Sequence, residues 1–185
     1  MLKRDERRIN MLRQNFNVDQ PNKVWVSDVT CYKFKETYFY ICVFIDLFSR
    51  KVLALSVGKN NSTHLVKVAF SSAYQSRKPK GLIIHTDRGT PYTSYSMQNL
   101  VRKSGVTQSY SNAGNPHDNA VVESFFASLK KEELYRSRYK SEAELRESLN
   151  RYINFYNTAR LHKFLKYKTP EQAEDAFWKS LKTLR

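Results

Sequence analysis

Cysteine, acidic residues and long apolar runs are all scarce in this sequence of 185 residues. Only two cysteines occur, Cys31 and Cys42, which excludes a disulfide scaffold or a four-cysteine zinc site and favours reduced thiols. No apolar run approaches the ~18 residues of a membrane span. The N-terminal stretch is basic and lacks the apolar core of a signal peptide. We therefore expect no membrane partner and a cytoplasmic location.

The shortage of acidic residues leaves the chain strongly basic. There are 32 Lys and Arg residues against 17 Asp and Glu residues, giving a net charge of +15. A surplus of this size favours a polyanionic partner, and nucleic acid is the commonest one. The alternative that charge alone leaves open is a solvated basic surface without a dedicated ligand. Hydrophobic residues, at 41%, are frequent enough for a packed domain.

Turn signals and hydrophobic periodicity divide the chain into three parts. Residues 1–20 are predicted to form a basic helix or arm, residues 21–140 a core, and residues 141–185 a helical extension of that core. The core opens with three β-rich runs and continues with alternating helices and strands. This order predicts an α/β fold, with one mixed five-stranded sheet flanked by helices.

The first two β-rich runs, 23–34 and 37–48, predict a hairpin connected at Lys35-Glu36 or Glu36-Thr37, which is a two-residue turn in either case. Side chains alternate along a strand, so Asp28 and Asp46 would then lie on opposite faces of the sheet. Asp46 is therefore interpreted as a structural residue. Further on, Val122, Phe125, Phe126 and Leu129 form an apolar stripe at helical spacing, and Asp118 is placed to cap that helix.

Three acidic residues stand in contexts that favour chemistry. Asp28 lies in an otherwise apolar strand, Asp87 follows a buried strand, and Glu123 lies beside the apolar helical stripe. Ligands of α/β sheets bind at the carboxyl ends of strands, and carboxylate oxygens suit Mg²⁺. Two such ions can clamp the oxygens of a phosphoryl transfer. Spacing alone leaves open that the aspartates cap turns and that the glutamate is only solvated.

The sequence motifs around these three acidic residues distinguish between these interpretations. Along the chain run WVSDVT at 25–30, IDLFSR at 45–50, HTDRG at 85–89, GNPHDNA at 114–120 and ESFF at 123–126, and 35 residues separate Asp87 from Glu123. In this order they closely resemble the catalytic core of bacterial insertion-sequence transposases of the insertion-sequence-three family. That family shares the retroviral-integrase, ribonuclease-H-like fold. The resemblance continues to YKTP at 167–170 and covers roughly residues 22–175.

The resemblance implies the function and its residues. Asp28, Asp87 and Glu123 would be the catalytic triad and would bind Mg²⁺ or Mn²⁺, two ions per site. Water would attack a phosphodiester of double-stranded DNA at the element end, and the freed 3′-hydroxyl would then attack target DNA. Joining two ends to one target implies a homodimer or larger synaptic assembly. Family members also carry an upstream helix-turn-helix region, so we expect this chain to be the catalytic portion, working with such a protein or fusion.

Five further residues are predicted to contact DNA. Lys130 matches the family's basic residue seven positions after the glutamate, and the others are Arg88, Asn119, Arg160 and His162. A solvated surface role remains the alternative for Lys130, and orientation of the carboxylates remains the alternative for Arg88 and Asn119. For Tyr156 two roles stay open, DNA binding and a place in the core. Local hydrogen bonding is the interpretation of His85 and His117. The sequence departs from the family at Pro91, Leu161 and Lys166, where glutamine, proline and glycine are usual.

Two other functions remain open from the sequence. A ribonuclease-H-like hydrolytic nuclease would use the same fold and metals on RNA–DNA hybrids or branched DNA. A non-catalytic basic binding module would need neither. The intact triad argues against the second of these.

Overall fold

The computed structural model describes residues 9–12, 17–112 and 119–183. In these parts of the chain the strands are β1 (Val24–Phe34), β2 (Thr37–Asp46), β3 (Val52–Gly58), β4 (Ile83–Thr86) and β5 (Thr107–Tyr110). The helices are α1 (Thr63–Arg77), α2 (Thr90–Thr93), α3 (Tyr95–Lys103), α4 (Ala120–Leu129), α5 (Glu142–Thr158) and α6 (Pro170–Thr183). A π-helical turn, Lys130–Leu134, continues α4, and Lys163–Leu165 forms a short 3₁₀ helix. None of the helices described here is long and apolar enough to cross a membrane.

The strands form one mixed sheet in the order β3-β2-β1-β4-β5. The first three strands pair antiparallel, because their connections are too short for a crossover. The chain then crosses over through α1 and adds β4 parallel to β1, and α2 and α3 precede β5, which is parallel to β4. The predicted five-stranded mixed sheet is confirmed.

The β1–β2 hairpin has the predicted two-residue turn, with Phe34 opposite Thr37. Trp25 pairs with Asp46 and Asp28 with Val43, so the two aspartates lie on opposite faces. The buried Asp46 carboxylate accepts hydrogen bonds from the Asn22 amide at 2.6 Å and from the amide and hydroxyl of Ser49 at 2.9 and 3.0 Å. Burial raises the pKa of this carboxyl. Asp46 thus holds the turn that follows β2 and the segment that precedes β1, as predicted for a structural residue.

Each face of the sheet has its own apolar core. One face packs α4 and α5 through Val122, Phe125, Phe126, Leu129, Leu145, Leu149, Tyr152 and Tyr156. The other packs α1 and α3 through Leu65, Val66, Ala69, Phe70, Ala73, Met97 and Val101. The side chains of successive β1 residues enter alternate cores, which is why Asp28 faces the α4 side.

Hydroxyl side chains begin several of the helices. Ser62 accepts a hydrogen bond at the start of α1, Ser94 at α3 and Ser141 at α5. Thr169 and Gln172 bond reciprocally at the start of α6. The predicted cap Asp118 lies outside the described residues, and Asn119 precedes α4 without a side-chain capping bond.

Described segments from the N-terminal and C-terminal parts of the chain both contact the sheet. At the N-terminal end, the Ile9 carbonyl accepts from the Tyr110 amide at 3.1 Å, and the Met11 amide donates to Ser109 Oγ at 2.9 Å. Most of the predicted arm, 1–20, lies outside the described residues. The α5 side chains belong to the same apolar cluster as β1 and β2. The division between 21–140 and 141–185 stays a prediction.

One side chain of α5 completes the edge of the sheet. The buried Asn157 accepts from the Val52 amide through Oδ1 and donates to the Val52 carbonyl through Nδ2, both at 2.9 Å. Asn157 therefore satisfies the backbone of an edge strand in the way that a neighbouring strand would.

Replacing Asn157 with alanine should destabilise the fold. Both polar groups of Val52 would lose their partners, at a cost of about 3 kcal/mol in the free energy of unfolding. The matched control is Asn154→Ala on the exposed side of the same helix, expected within about 0.5 kcal/mol of the wild type. Urea unfolding followed by circular dichroism measures both variants, and equal stabilities would contradict the edge-completing role.

Candidate active site

Asp28 lies near the middle of β1, half-buried on the face that α4 covers. Its Oδ1 accepts from the Val29 amide at 2.7 Å. The pKa of the Asp28 carboxyl is raised to about 6, mainly by burial and also by the carboxylates of Asp87 and Glu123, whereas the Val29 hydrogen bond and the ammonium of Lys130 act to lower it. The electrostatic effect of these three side chains means that all of them lie close to Asp28.

Asp87 directly follows β4. Because β4 runs parallel to β1 with His85 level with Val26, the residue two positions further on in each strand comes to the same level, which places Asp87 beside Asp28. Asp87 Oδ1 accepts from the Gly89 amide at 2.9 Å. A Cβ at Gly89 would lie 3.0 Å from that same oxygen, so a side chain there would push the Asp87 carboxylate aside by a few tenths of an ångström.

Glu123 lies in the first turn of α4 and is exposed, while its neighbours Val122 and Phe125 are buried in the core. The apolar stripe therefore fixes α4 against the sheet and leaves the glutamate at its flank. The three predicted triad residues come from a strand, a strand end and a helix start, and the fold brings them into one neighbourhood.

A buried hydrogen-bond cluster lies beneath the carboxylates and was not predicted from the sequence. Ser27 Oγ lies 2.7 Å from the Tyr92 hydroxyl, and Cys42 Sγ lies 3.8 and 3.7 Å from these two oxygens. Tyr92 is in α2, immediately after the loop that bears Asp87, so this cluster ties that loop to the strand of Asp28. Burial raises the pKa of the Cys42 thiol to about 12, which keeps it protonated. The sequence feature that could have indicated this cluster is a serine inside a buried strand, next to Asp28.

Both cysteines are free thiols, as predicted. Cys42 is buried opposite Val29, whereas Cys31 is exposed and pairs with Tyr40.

The donor chemistry of the site suits a divalent cation. Its oxygens are the hard ligands that Mg²⁺ and Mn²⁺ take, and a cation would offset the burial of Asp28 and its repulsion by the other two carboxylates, which together raise its pKa. In the described residues, no three His, Cys, Asp or Glu side chains are already arranged to hold a metal ion. Asp28 and Asp87 instead bond to backbone amides one and two residues further along the chain.

The other predicted residues near the carboxylates have distinct settings. Lys130 is half-buried at the end of α4, close enough to Asp28 to lower its pKa. Arg88 is exposed and its Nε donates to the Ser111 carbonyl at 2.9 Å. Asn119 is buried, and its Oδ1 has no hydrogen-bond partner within the described parts of the chain. His85 Nδ1 lies 2.9 Å from Ser109 Oγ, in agreement with local hydrogen bonding, and His117 lies outside the described residues.

Arg160 and His162 are engaged within the protein. The Arg160 guanidinium binds both carboxylate oxygens of Glu132, with Nη2 at 2.7 Å from Oε1 and Nε at 3.0 Å from Oε2. The His162 ring contacts the Tyr156 ring edge-on at 4.6 Å, and burial lowers the pKa of His162. Tyr156 is a core residue. Contact of Arg160 and His162 with DNA stays a prediction.

Comparison with known families agrees with the fold. The profile of the integrase core domain matches residues 18–116, and a second integrase core profile matches residues 104–170. The chain belongs to the integrase core domain family and is a core of the insertion-sequence transposase type.

Two curated relatives and one solved structure give the scale of the similarity. The chain is 40% identical over 169 residues to the transposase of IS904 from Lactococcus lactis and 36% identical over 168 residues to transposase InsF of IS3A from Escherichia coli. These matches cover 90% of the chain but 67% and 58% of the relatives, so it spans about three-fifths to two-thirds of their lengths. The HTLV-2 integrase catalytic core in complex with magnesium (dimeric form) superposes with a TM-score of 0.67 at 24% identity, over 84% of this chain and 97% of that one. The fold is therefore ribonuclease-H-like.

The raised pKa of Asp28 predicts a pH dependence of stability in metal-free protein. The folded state holds a proton to about pH 6, whereas the unfolded chain releases it near 3.8, so stability falls as the pH rises between these values. Relative to Asp28→Asn, the wild type should lose about 2–3 kcal/mol across this window.

Urea unfolding at several pH values between 4 and 7 measures the difference. Asp175→Asn, at an exposed position of α6, is the control and should follow the wild type. Parallel pH profiles for the wild type and Asp28→Asn would contradict the raised pKa.

Proposed function

We propose that this chain is the catalytic core of a DDE transposase, which cleaves DNA at the ends of a transposable element and joins the 3′-hydroxyl to target DNA. The observation that carries the proposal is the effect of both Asp87 and Glu123 on Asp28. Burial and these two neighbouring carboxylates disfavour the charged form of Asp28, and a bound cation would relieve that cost. Similarity to insertion-sequence transposases supports the same function.

In this proposal Asp28, Asp87 and Glu123 would hold Mg²⁺ or Mn²⁺, with two ions per site. Bound there, the ions neutralise charge on the attacking and leaving oxygens of a phosphodiester. That the HTLV-2 core was solved with magnesium supports this choice. Asp28 must give up its proton before it binds a cation, and its pKa of about 6 places that loss below neutral pH.

The remaining residues of the site position the substrate and the carboxylates. Lys130 donates to a DNA phosphate, since an ammonium cannot ligate a cation but compensates a phosphate charge. Ser27 and Tyr92 hold the Asp87 loop against β1. No side chain needs to act as a nucleophile, because phosphoryl transfer depends on positioning and charge neutralisation.

The partners belong to the same proposal. Duplex DNA, as element ends and target, would bind at the edge where Lys130, Arg88 and Asn119 surround the carboxylates. Arg160 and His162 would assist only after Arg160 releases Glu132. A homodimer or larger assembly would join two ends, with an upstream helix-turn-helix protein or fusion recognising them, in the bacterial cytoplasm.

Replacing any one triad residue by its amide should abolish strand cleavage and joining. We expect about a thousandfold loss of rate for Asp28→Asn, Asp87→Asn or Glu123→Gln, equivalent to about 4 kcal/mol of barrier, with DNA binding retained. Oligonucleotide cleavage in Mg²⁺ and duplex binding in Ca²⁺ measure the two properties separately. Asp175→Asn is the control for loss of one acidic charge, and a triad variant with wild-type rate would contradict the assignment.

A labelled donor duplex with a free 3′-hydroxyl separates transposase from nuclease chemistry. A transposase core joins that end to a second duplex, giving a labelled product longer than the donor. A hydrolytic nuclease gives only shorter products, and a non-catalytic binding module gives neither.

A further inference from the structure

In the segment that follows α4, the acidic and the basic side chains lie on different sides. Residues 130–140, with the sequence KKEELYRSRYK, contain five basic residues and two acidic ones. A π-helical turn begins at Lys130, with the Tyr135 amide donating to the Lys130 carbonyl at 3.0 Å. The wider turn places both glutamates toward the body of the protein.

Both acidic side chains of the segment are taken up by internal partners. Glu132 receives the Arg160 guanidinium and, at 2.8 Å, the hydroxyl of Tyr152. Glu133 accepts from Ser137 at 2.9 Å, from Tyr139 at 3.0 Å and from Ser148. Neither carboxylate is directed to neutralise the outer side of the segment.

The outer side is therefore basic. Lys131, Arg136, Arg138 and Lys140, which we call the basic strip, are all exposed. Within residues 9–12, 17–112 and 119–183 none of the four takes part in an ion pair. Tyr135, in the middle of the strip, is 70% exposed.

The segment that carries the basic strip begins beside the carboxylates and then follows β1. Lys130, where the segment begins, lies close to Asp28. Further along, the rings of Tyr135 and Tyr139 lie 6.4 and 6.2 Å from the ring of Tyr32. Tyr32 is four residues after Asp28 on the same face of β1, a distance of about 13 Å. This corresponds to about four base pairs of duplex DNA at 3.4 Å each.

We propose that the basic strip binds the phosphodiester backbone of a DNA duplex about four base pairs from the reacting phosphate. The inference rests on the proposed function, because the carboxylates define where the reacting phosphate lies. Four unpaired cations beside exposed Tyr135 suit a phosphate backbone, whose contacts come from Arg, Lys and Tyr side chains. Such contacts would fix the register of the duplex without reading its sequence.

The double variant Arg136→Gln/Arg138→Gln tests the strip. Binding to a short duplex, measured by fluorescence anisotropy in Ca²⁺ at several salt concentrations, should weaken about tenfold to thirtyfold at physiological salt. The slope of log affinity against log salt should fall by about 1 to 2. Within the described residues neither arginine side chain makes a hydrogen bond or an ion pair, so thermal unfolding should match the wild type.

The control is Lys179→Gln/Lys182→Gln, which removes the same charge from exposed positions of α6. It should keep the wild-type slope. An unchanged slope in the arginine variant, or an equal change in the lysine control, would contradict the proposal that the basic strip binds DNA. Binding is measured without turnover, so failure of the proposed function would appear separately, as absence of cleavage and joining by the wild type in Mg²⁺.

Discussion

The parallel pairing of β1 with β4 is the constraint on which the site depends. It places His85 level with Val26, so the first residue beyond β4 comes level with Asp28. The crossover through α1 is needed for this pairing, and the second apolar core packs that helix against the sheet. The opposite core holds α4 on the other face and thereby brings Glu123 to the same edge. The position of each carboxylate thus has a separate structural cause.

The burial that organises the site also makes it electrostatically unfavourable. Burial and the neighbouring carboxylates of Asp87 and Glu123 raise the Asp28 pKa, and the fold tolerates this because the strand around Asp28 is held by other interactions. Ser27 and Tyr92 bond beneath it, and Asp46 fixes the turn beside the start of β1. Stability is thus supplied away from the carboxylates, which leaves their oxygens for ligand chemistry.

Much of the fold could be predicted because its determinants are local. The two-residue turn at Lys35–Glu36 fixes the hairpin register, and alternation then separates Asp28 from Asp46. What could not be predicted depends on contacts distant in sequence. The bond between Ser27 and Tyr92 spans 65 residues, and the engagement of Arg160 by Glu132 needed the positions of both α4 and α5. The π-helical turn has no distinctive composition, so the sorting of charges in residues 130–140 was not visible in the sequence.

The coverage of the sheet margins limits how copies of this protein can associate. On one margin, α5 supplies Asn157 to Val52 and the Arg146 guanidinium to the Val57 carbonyl at 2.9 Å. On the other, Ile9 accepts from the Tyr110 amide. A strand from another molecule would have to displace these groups before it could extend the sheet. Copies of this protein would therefore associate through side-chain surfaces of the helical layers, and the geometry of such contacts can vary without any change in strand pairing.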